Sequence, residues 1–129
     1  MPHVILLVDD EPFILQLLTR ALRSDAYQIY TARTADESIT ILKAHKVDLI
    51  VSDERMPGLS GTEFLAWVAE WFPDIPRIML TGQPGEHTEM RAIRECGVYR
   101  FFTKPCDVEE LAKAIRSALE SKDALQQAR

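Results

Sequence analysis

Cysteine is scarce in this chain of 129 residues: there are two, Cys96 and Cys106, and they do not form a CxxC pair. A reduced cytoplasmic chain is the simplest setting for such a sequence. Long apolar runs are missing as well. None approaches the roughly 20 residues that a bilayer-spanning helix requires. The start, Met1-Pro2-His3, has no basic segment before its apolar stretch, so no secretory leader is expected. Basic charge is not in excess either. The formal net charge is −5, which argues against nucleic acid or an acidic membrane surface as a direct partner. Internal repeats and low-complexity segments are absent. The three histidines, His3, His45 and His87, show no metal-ligand spacing and read as surface residues without partners.

What is present is an ordinary globular composition, 47% apolar. One domain of this size buries about two-thirds of its unfolded surface and needs no disulfide or metal staple. Short apolar runs alternate with longer helical periods. Val4 to Val8 reads as a strand ending at Asp9-Asp10. Ile14, Leu17, Leu18, Ala21 and Leu22 then line one helix face, with Pro12 tolerated at the helix start. Tyr27 to Thr31 is a second strand. Thr34-Ala35-Asp36-Glu37 has capping-box form and opens a helix to about His45. Val47 to Ser52 is a third strand, and Ser60 to Glu63 a second capping box, opening a helix with Phe64, Leu65, Val68 and Phe72. Trp67 and Trp71 flank its apolar stripe and are expected to pack at least partly. Arg77 to Thr81 is a fourth strand with Pro76 at its edge. A fourth helix is expected from about Glu86 to Cys96, stopped by Gly97. Val98 to Thr103 is a fifth strand. Asp107, with Glu110 three residues on, caps a last helix carrying Val108, Leu111, Ile115 and Leu119.

Five strands alternating with five helices predict an α/β domain, a parallel sheet covered on both faces. Right-handed crossovers bring every strand's C-terminal end to one rim, where open sheets bind ligands. At that rim stand Asp9 and Asp10, Asp53, Thr81-Gly82 and Lys104-Pro105. Taken singly, each has a simpler reading: Asp10 as a helix N-cap, Asp53 as a turn residue, Thr81 as a strand end, Lys104 as a solvated cation. Together they place three carboxylates, a hydroxyl and an ammonium in one crevice. Two carboxylates about 4 Å apart repel by on the order of 4 kcal/mol at an effective dielectric near 20. One lysine is too little for three of them. Hard oxygen ligands and incomplete enclosure suit Mg²⁺, or Mn²⁺, with a phosphoryl group beside it. A carboxylate nucleophile there would give an acyl phosphate.

The segments LLVDDEP (Leu6 to Pro12), DLIVSDERMPGLSG (Asp48 to Gly61), IMLTG (Ile78 to Gly82) and FFTKP (Phe101 to Pro105) resemble the receiver domains of two-component response regulators. The resemblance runs from about His3 to Ala118. It implies a flavodoxin-like fold with strand order 2-1-3-4-5. It implies that Asp9 and Asp10 hold the cation, that Asp53 accepts the phosphoryl group, and that the backbone carbonyl of Arg55 completes the metal site. Thr81 and Lys104 would engage the phosphoryl group. The aromatic switch position falls on Phe101, which lacks the hydroxyl of the usual Tyr. Arg55 and Gln83 would flank the site and modulate the lifetime of the acyl phosphate. The donor would be a phosphohistidine on a sensor histidine kinase or phosphotransfer protein. The chain would be a regulatory phosphoacceptor and no enzyme beyond its own phosphorylation and dephosphorylation. Tyr99 shares a face with Phe101, and the surface made by the fourth predicted helix, the fifth strand and the last helix is where a homodimer would form.

Residues 1–120 are expected to form the receiver domain. Residues 121–129, polar and helix-prone, read as a C-terminal extension or the start of a linker to an output domain. Three other readings compete. A magnesium-dependent phosphatase with an aspartyl-phosphate intermediate would carry a second Asp two residues after its nucleophile, where this chain has Arg55. A flavodoxin-like electron carrier would need a Ser/Thr/Gly-rich loop after the first strand, where the acidic pair stands. A degenerate receiver acting by protein contacts alone would lack part of the site, and here every expected residue is present.

Overall fold

A computed structural model describes residues 2–82, 94 and 96–128 of the chain. Five parallel strands, β1 (Val4–Val8), β2 (Gln28–Ala32), β3 (Leu49–Asp53), β4 (Arg77–Thr81) and β5 (Arg100–Thr103), form one sheet in the order β2-β1-β3-β4-β5. Four helices are found among the described residues: α1 (Pro12–Ala21), α2 (Ala35–Ala44), α3 (Gly61–Trp71) and α4 (Val108–Gln127). The fourth helix expected from the sequence, about Glu86 to Cys96, lies outside the described residues except for Arg94 and Cys96. Gly97 has φ +58, the left-handed conformation that suits a glycine following a helix.

The strands are apolar on both faces because both faces are covered. Alternate side chains go to opposite sides. Leu6, Val8, Ile50 and Met79 join Phe64, Leu65 and Val68 of α3 and Leu42 of α2. Ile5, Leu7, Val51, Ile78 and Leu80 join Leu15 and Leu18 of α1 and Leu111 and Ile115 of α4 on the other side. β5 divides in the same way, with Phe101 packed on the first cluster and Phe102 on the second. Among the described residues no helix is long and apolar enough to cross a membrane.

Local chemistry sets the element ends. Pro12 is the first residue of α1, and its N-cap is Glu11, without a side-chain cap. The N-cap is therefore not Asp10. Thr34 caps α2 through the Glu37 N–H at 3.1 Å, but the Glu37 carboxylate reaches one residue further upstream, to the Arg33 N–H at 2.6 Å. Ser60 and Glu63 form the full reciprocal box. Asp107 caps α4 through the Glu109 N–H. β3 starts at Leu49 instead of Val47, and the residue before it, Asp48, takes the Val4 N–H on its carboxylate at 2.8 Å.

Four side chains depart from the sequence reading. His3 Nε2 meets Asp123 Oδ2 at 2.9 Å, and His45 stacks on Tyr30, its Nδ1 3.1 Å from the phenol oxygen. Both have partners because the fold brings distant segments together; His87 lies outside the described residues. Trp67 packs against the core, but Trp71, on the outer side of α3, is largely exposed. Arg77, expected only as a strand start, is buried. It donates to the carbonyls of Cys96 and Ile75 at 2.8 Å and of Gly97 at 3.3 Å.

At the rim where the strands begin, Lys122 of α4 is buried with Asp48, Nζ to Oδ1 3.0 Å. Burial alone would raise the Asp48 carboxyl, but the Val4 N–H and the Lys122 ammonium outweigh it and hold it below the usual carboxylate range. A depressed carboxyl stabilises the fold above its unfolded pKa, and that stability is lost as pH falls through the folded value. Lys122→Met keeps the aliphatic stem and leaves Asp48 unpaired. It is expected to cost about 2–4 kcal/mol in urea unfolding at neutral pH, and to flatten the fall in stability between about pH 5 and pH 3.

Candidate functional site

The parallel sheet delivers its C-terminal strand ends level with one another. Val8 is paired with Ser52, Asp53 with Leu80, and Thr81 with Thr103. The residues at or just past those positions are Asp9 and Asp10, Asp53, Thr81 and Lys104. Backbone bonds fix them in place: the Asp9 N–H donates to the Ala32 carbonyl at 3.0 Å, and the Lys104 N–H to the Thr81 carbonyl at 2.7 Å. Asp53 is the last residue of β3, within the sheet and not beyond it.

Asp9, Asp10 and Asp53 converge, each offering one carboxylate oxygen within 4.8 Å of the others. Asp9 and Asp53 are buried and Asp10 is half-buried. Lys104 enters the same space. Its Nζ lies 2.8 Å from Asp9 Oδ2, 3.4 Å from Asp53 Oδ1 and 3.7 Å from Glu11 Oε1. Asp9 Oδ1 also accepts the Glu11 N–H, and Asp53 Oδ1 the Glu54 N–H, both at 2.9 Å.

The electrostatics follow from this crowding. Burial is the main force raising the Asp53 carboxyl, and the charge of Asp9 adds to it. Lys104 and the Glu54 N–H pull the other way, and the balance stands at about 6. Burial disfavours the Lys104 ammonium, yet Asp9 and Asp53 outweigh it and its pKa is raised. One half-buried cation thus serves several carboxylates and leaves the cluster short of positive charge. An all-oxygen, half-open donor set with that deficit fits a hard divalent ion such as Mg²⁺ or Mn²⁺. It also leaves Asp53 with an oxygen that can act as a nucleophile.

The remaining expected residues fall around this centre. Thr81 is buried at the end of β4. Phe101 is half-buried, two residues before the strand end. Arg55 is exposed. Gln83 lies outside the described residues. Four neighbours were not singled out individually from the sequence. The Arg33 guanidinium grips the Asp10 carbonyl at 3.1 and 3.3 Å. Glu54 accepts the hydroxyl of Thr62. Gly61 sits so close to β3 that a Cβ there would lie 2.1 Å from the Asp53 carbonyl oxygen. Only the proximity of Glu54 to Asp53 could have drawn notice.

Residues 5–116 match the response regulator receiver domain family. The chain belongs to that family. This receiver domain is 40% identical over 119 residues to the transcriptional regulatory protein GlrR of Escherichia coli (strain K12), an overlap of 92% of this chain and 27% of that protein. Among solved structures it is similar to the signal receiver domain of an HD domain-containing protein from Pseudomonas fluorescens Pf-5, with 36% identity, a TM-score of 0.93 and coverage of 96% of this chain and 99% of that one. It is also similar to the beryllofluoride-activated NtrC4 receiver domain dimer, with 34% identity, a TM-score of 0.86 and coverage of 92% and 98%. The chain spans about a quarter of the length of relatives such as GlrR. The domain is a signalling module of two-component systems, with the flavodoxin-like strand order of its family.

The raised Asp53 carboxyl has a measurable consequence. A folded-state pKa above the unfolded one means that the folded state binds the extra proton, so stability falls as pH rises from 3.8 through about 6. In EDTA, Asp53→Asn removes that loss. Its stability relative to wild type is expected to increase across this window by up to about 3 kcal/mol, read from urea unfolding at stepped pH.

Proposed function

We propose that Asp53 is the phosphoacceptor of this receiver and that Asp9, Asp10, Asp53 and the backbone carbonyl of Arg55 hold a divalent cation, Mg²⁺ or Mn²⁺. The observation that carries the reading is the convergence of three carboxylates on one partly compensating lysine at the sheet rim. When bound, the cation neutralises charge on the incoming phosphoryl group and on the carboxylates around it. The chain's own groups do the rest. An Asp53 carboxylate oxygen attacks the phosphorus of a phosphohistidine on a sensor kinase or phosphotransfer protein. The new O–P bond forms as the P–N bond breaks, and the electron pair returns to the imidazole. Asp53, at about 6, is largely ionised and nucleophilic at neutral pH. The Lys104 ammonium turns from the carboxylates to a phosphoryl oxygen, and the Thr81 hydroxyl donates to another.

Movement of Thr81 and Lys104 toward the new group would be felt by Phe101, which shares β5 with the residue before Lys104 and packs against the core cluster of α2 and α3. The activated surface is then β5 and α4, with Tyr99 exposed beside β5, together with the fourth helix expected from the sequence, nearly all of which lies outside the described residues. We read this surface as that of a homodimer; the NtrC4 receiver, to which the chain is similar, is a dimer when activated by beryllofluoride. We read the chain as a cytoplasmic regulatory domain and not an enzyme in its own right. Residues 1–120 are its receiver part, and α4 beyond them leads toward an output domain of the kind that longer relatives carry. Arg55, exposed at the second position after Asp53, would modulate attack of water on the acyl phosphate, as would Gln83. A phosphatase reading is disfavoured because Arg55 stands where a second Asp would act as acid and base.

Incubation with acetyl phosphate and Mg²⁺ is expected to add one phosphoryl group by intact mass, with no adduct in Asp53→Asn or in EDTA. An adduct that survives in Asp53→Asn would overturn the assignment. Arg55→Ala is expected to change the half-life of the phosphoprotein, and an unchanged half-life removes Arg55 from the site. Beryllofluoride is expected to shift the oligomeric state in sedimentation.

A further inference from the structure

Glu54, the residue after the phosphoacceptor, is held at three points. Its N–H donates to Asp53 Oδ1 at 2.9 Å, its carbonyl accepts the Gly61 N–H at 2.8 Å, and its carboxylate accepts the Thr62 hydroxyl. Thr62 is itself buried and held from its far side, where the Cys96 thiol donates to its carbonyl at 3.2 Å. The start of α3 is pressed onto β3 at Gly61, where there is no room even for a methyl group. The loop 55–60 therefore leaves from and returns to a single closed point. That loop begins with Arg55, whose carbonyl is assigned above to the cation. It contains Pro57 and Gly58, the latter at φ +83, which gives it no regular hydrogen-bond ladder of its own.

We infer that Glu54 is a positioning residue for the phosphoryl-transfer site: its carboxylate, anchored on the Thr62 hydroxyl, sets the orientation of the Asp53 carboxylate and of the Arg55 carbonyl as ligands for the divalent cation. The inference rests on the reading of those two groups given above. Its physical basis is that a flexible loop supplies a poor ligand, because fixing each backbone residue costs conformational entropy at the moment of binding. A side-chain hydrogen bond at the base of the loop fixes that residue beforehand. The carboxylate acts through the loop and touches neither phosphoryl group nor cation.

Two other roles give different signatures. If Glu54 acted through its charge, the neutral amide would lose as much as the alanine. If it only packed the loop, stability would fall without any change at the metal site. The test uses the full chain with Glu54→Gln, Glu54→Ala, Thr62→Val and the double variant Glu54→Ala/Thr62→Val. Mg²⁺ half-saturation is read from the amide chemical shifts of Asp53 and Gly61, beside the urea midpoint and the acetyl phosphate rate at saturating Mg²⁺. Glu54→Ala and Thr62→Val are each expected to raise half-saturation about fivefold to tenfold. The double variant is expected to go no further than either, and Glu54→Gln, whose amide oxygen still accepts the hydroxyl, to stay within about twofold of wild type. Equal loss in Glu54→Gln and Glu54→Ala would overturn the inference, and so would a lowered urea midpoint with unchanged half-saturation. The Mg²⁺ titration requires no phosphorylation. A wild type that binds Mg²⁺ with these signatures but takes up no phosphoryl group refutes the phosphoacceptor reading and leaves the role of Glu54 in cation binding supported.

Discussion

Lys104 Nζ sits 2.8 Å from one buried carboxylate and 3.4 Å from another, and much of the architecture can be understood as the means of keeping it there. The two aspartates stand at the ends of different strands, Asp9 just past β1 and Asp53 closing β3, and the lysine is on a third segment, so no local sequence effect could assemble them. Parallel pairing does, by bringing the strand ends to one level. The carboxylates alone would repel, and burial strengthens that repulsion. A single ammonium holds the cluster together without neutralising it. The result is a resting arrangement stable enough to fold, with enough negative charge left uncompensated to favour a cation beside it.

The hydrophobic layers supply the rigidity that such a cluster requires. Each strand sends alternate residues to two separate clusters, one under α2 and α3 and one under α1 and α4. Closely packed interiors deform little. The rim residues are therefore held by backbones that cannot relax to separate the charges. Burial is the main cause of the raised Asp53 carboxyl, and the charge of Asp9, held close by the same packing, adds to it.

Much of this was legible in the sequence because it rests on short-range pattern. The runs Val4 to Val8 and Arg77 to Thr81 are strands from end to end, and the Ser60 to Glu63 box caps α3 as its residues indicate. The carboxylate trio was legible because each residue stands at or just past a strand end. Less was legible where a partner is far away along the chain. Lys122 with Asp48, His3 with Asp123, and Arg77 with the carbonyls of Cys96 and Gly97 are separated by stretches that no local rule spans. The same holds for the closure of Glu54 on Thr62, in which two unremarkable residues acquire a role only once α3 has docked on β3.

The long final helix has a consequence for traffic around the domain. It starts at Val108, just after Lys104 and Pro105 at the phosphorylation rim, and reaches Lys122 beside Asp48, where β3 begins. A helix of that length extends about 30 Å, longer than the roughly 17 Å of a five-residue strand. The start and the end of α4 therefore lie at opposite rims, so a molecule seated in the carboxylate crevice and one held at the far end of α4 would not compete for the same space.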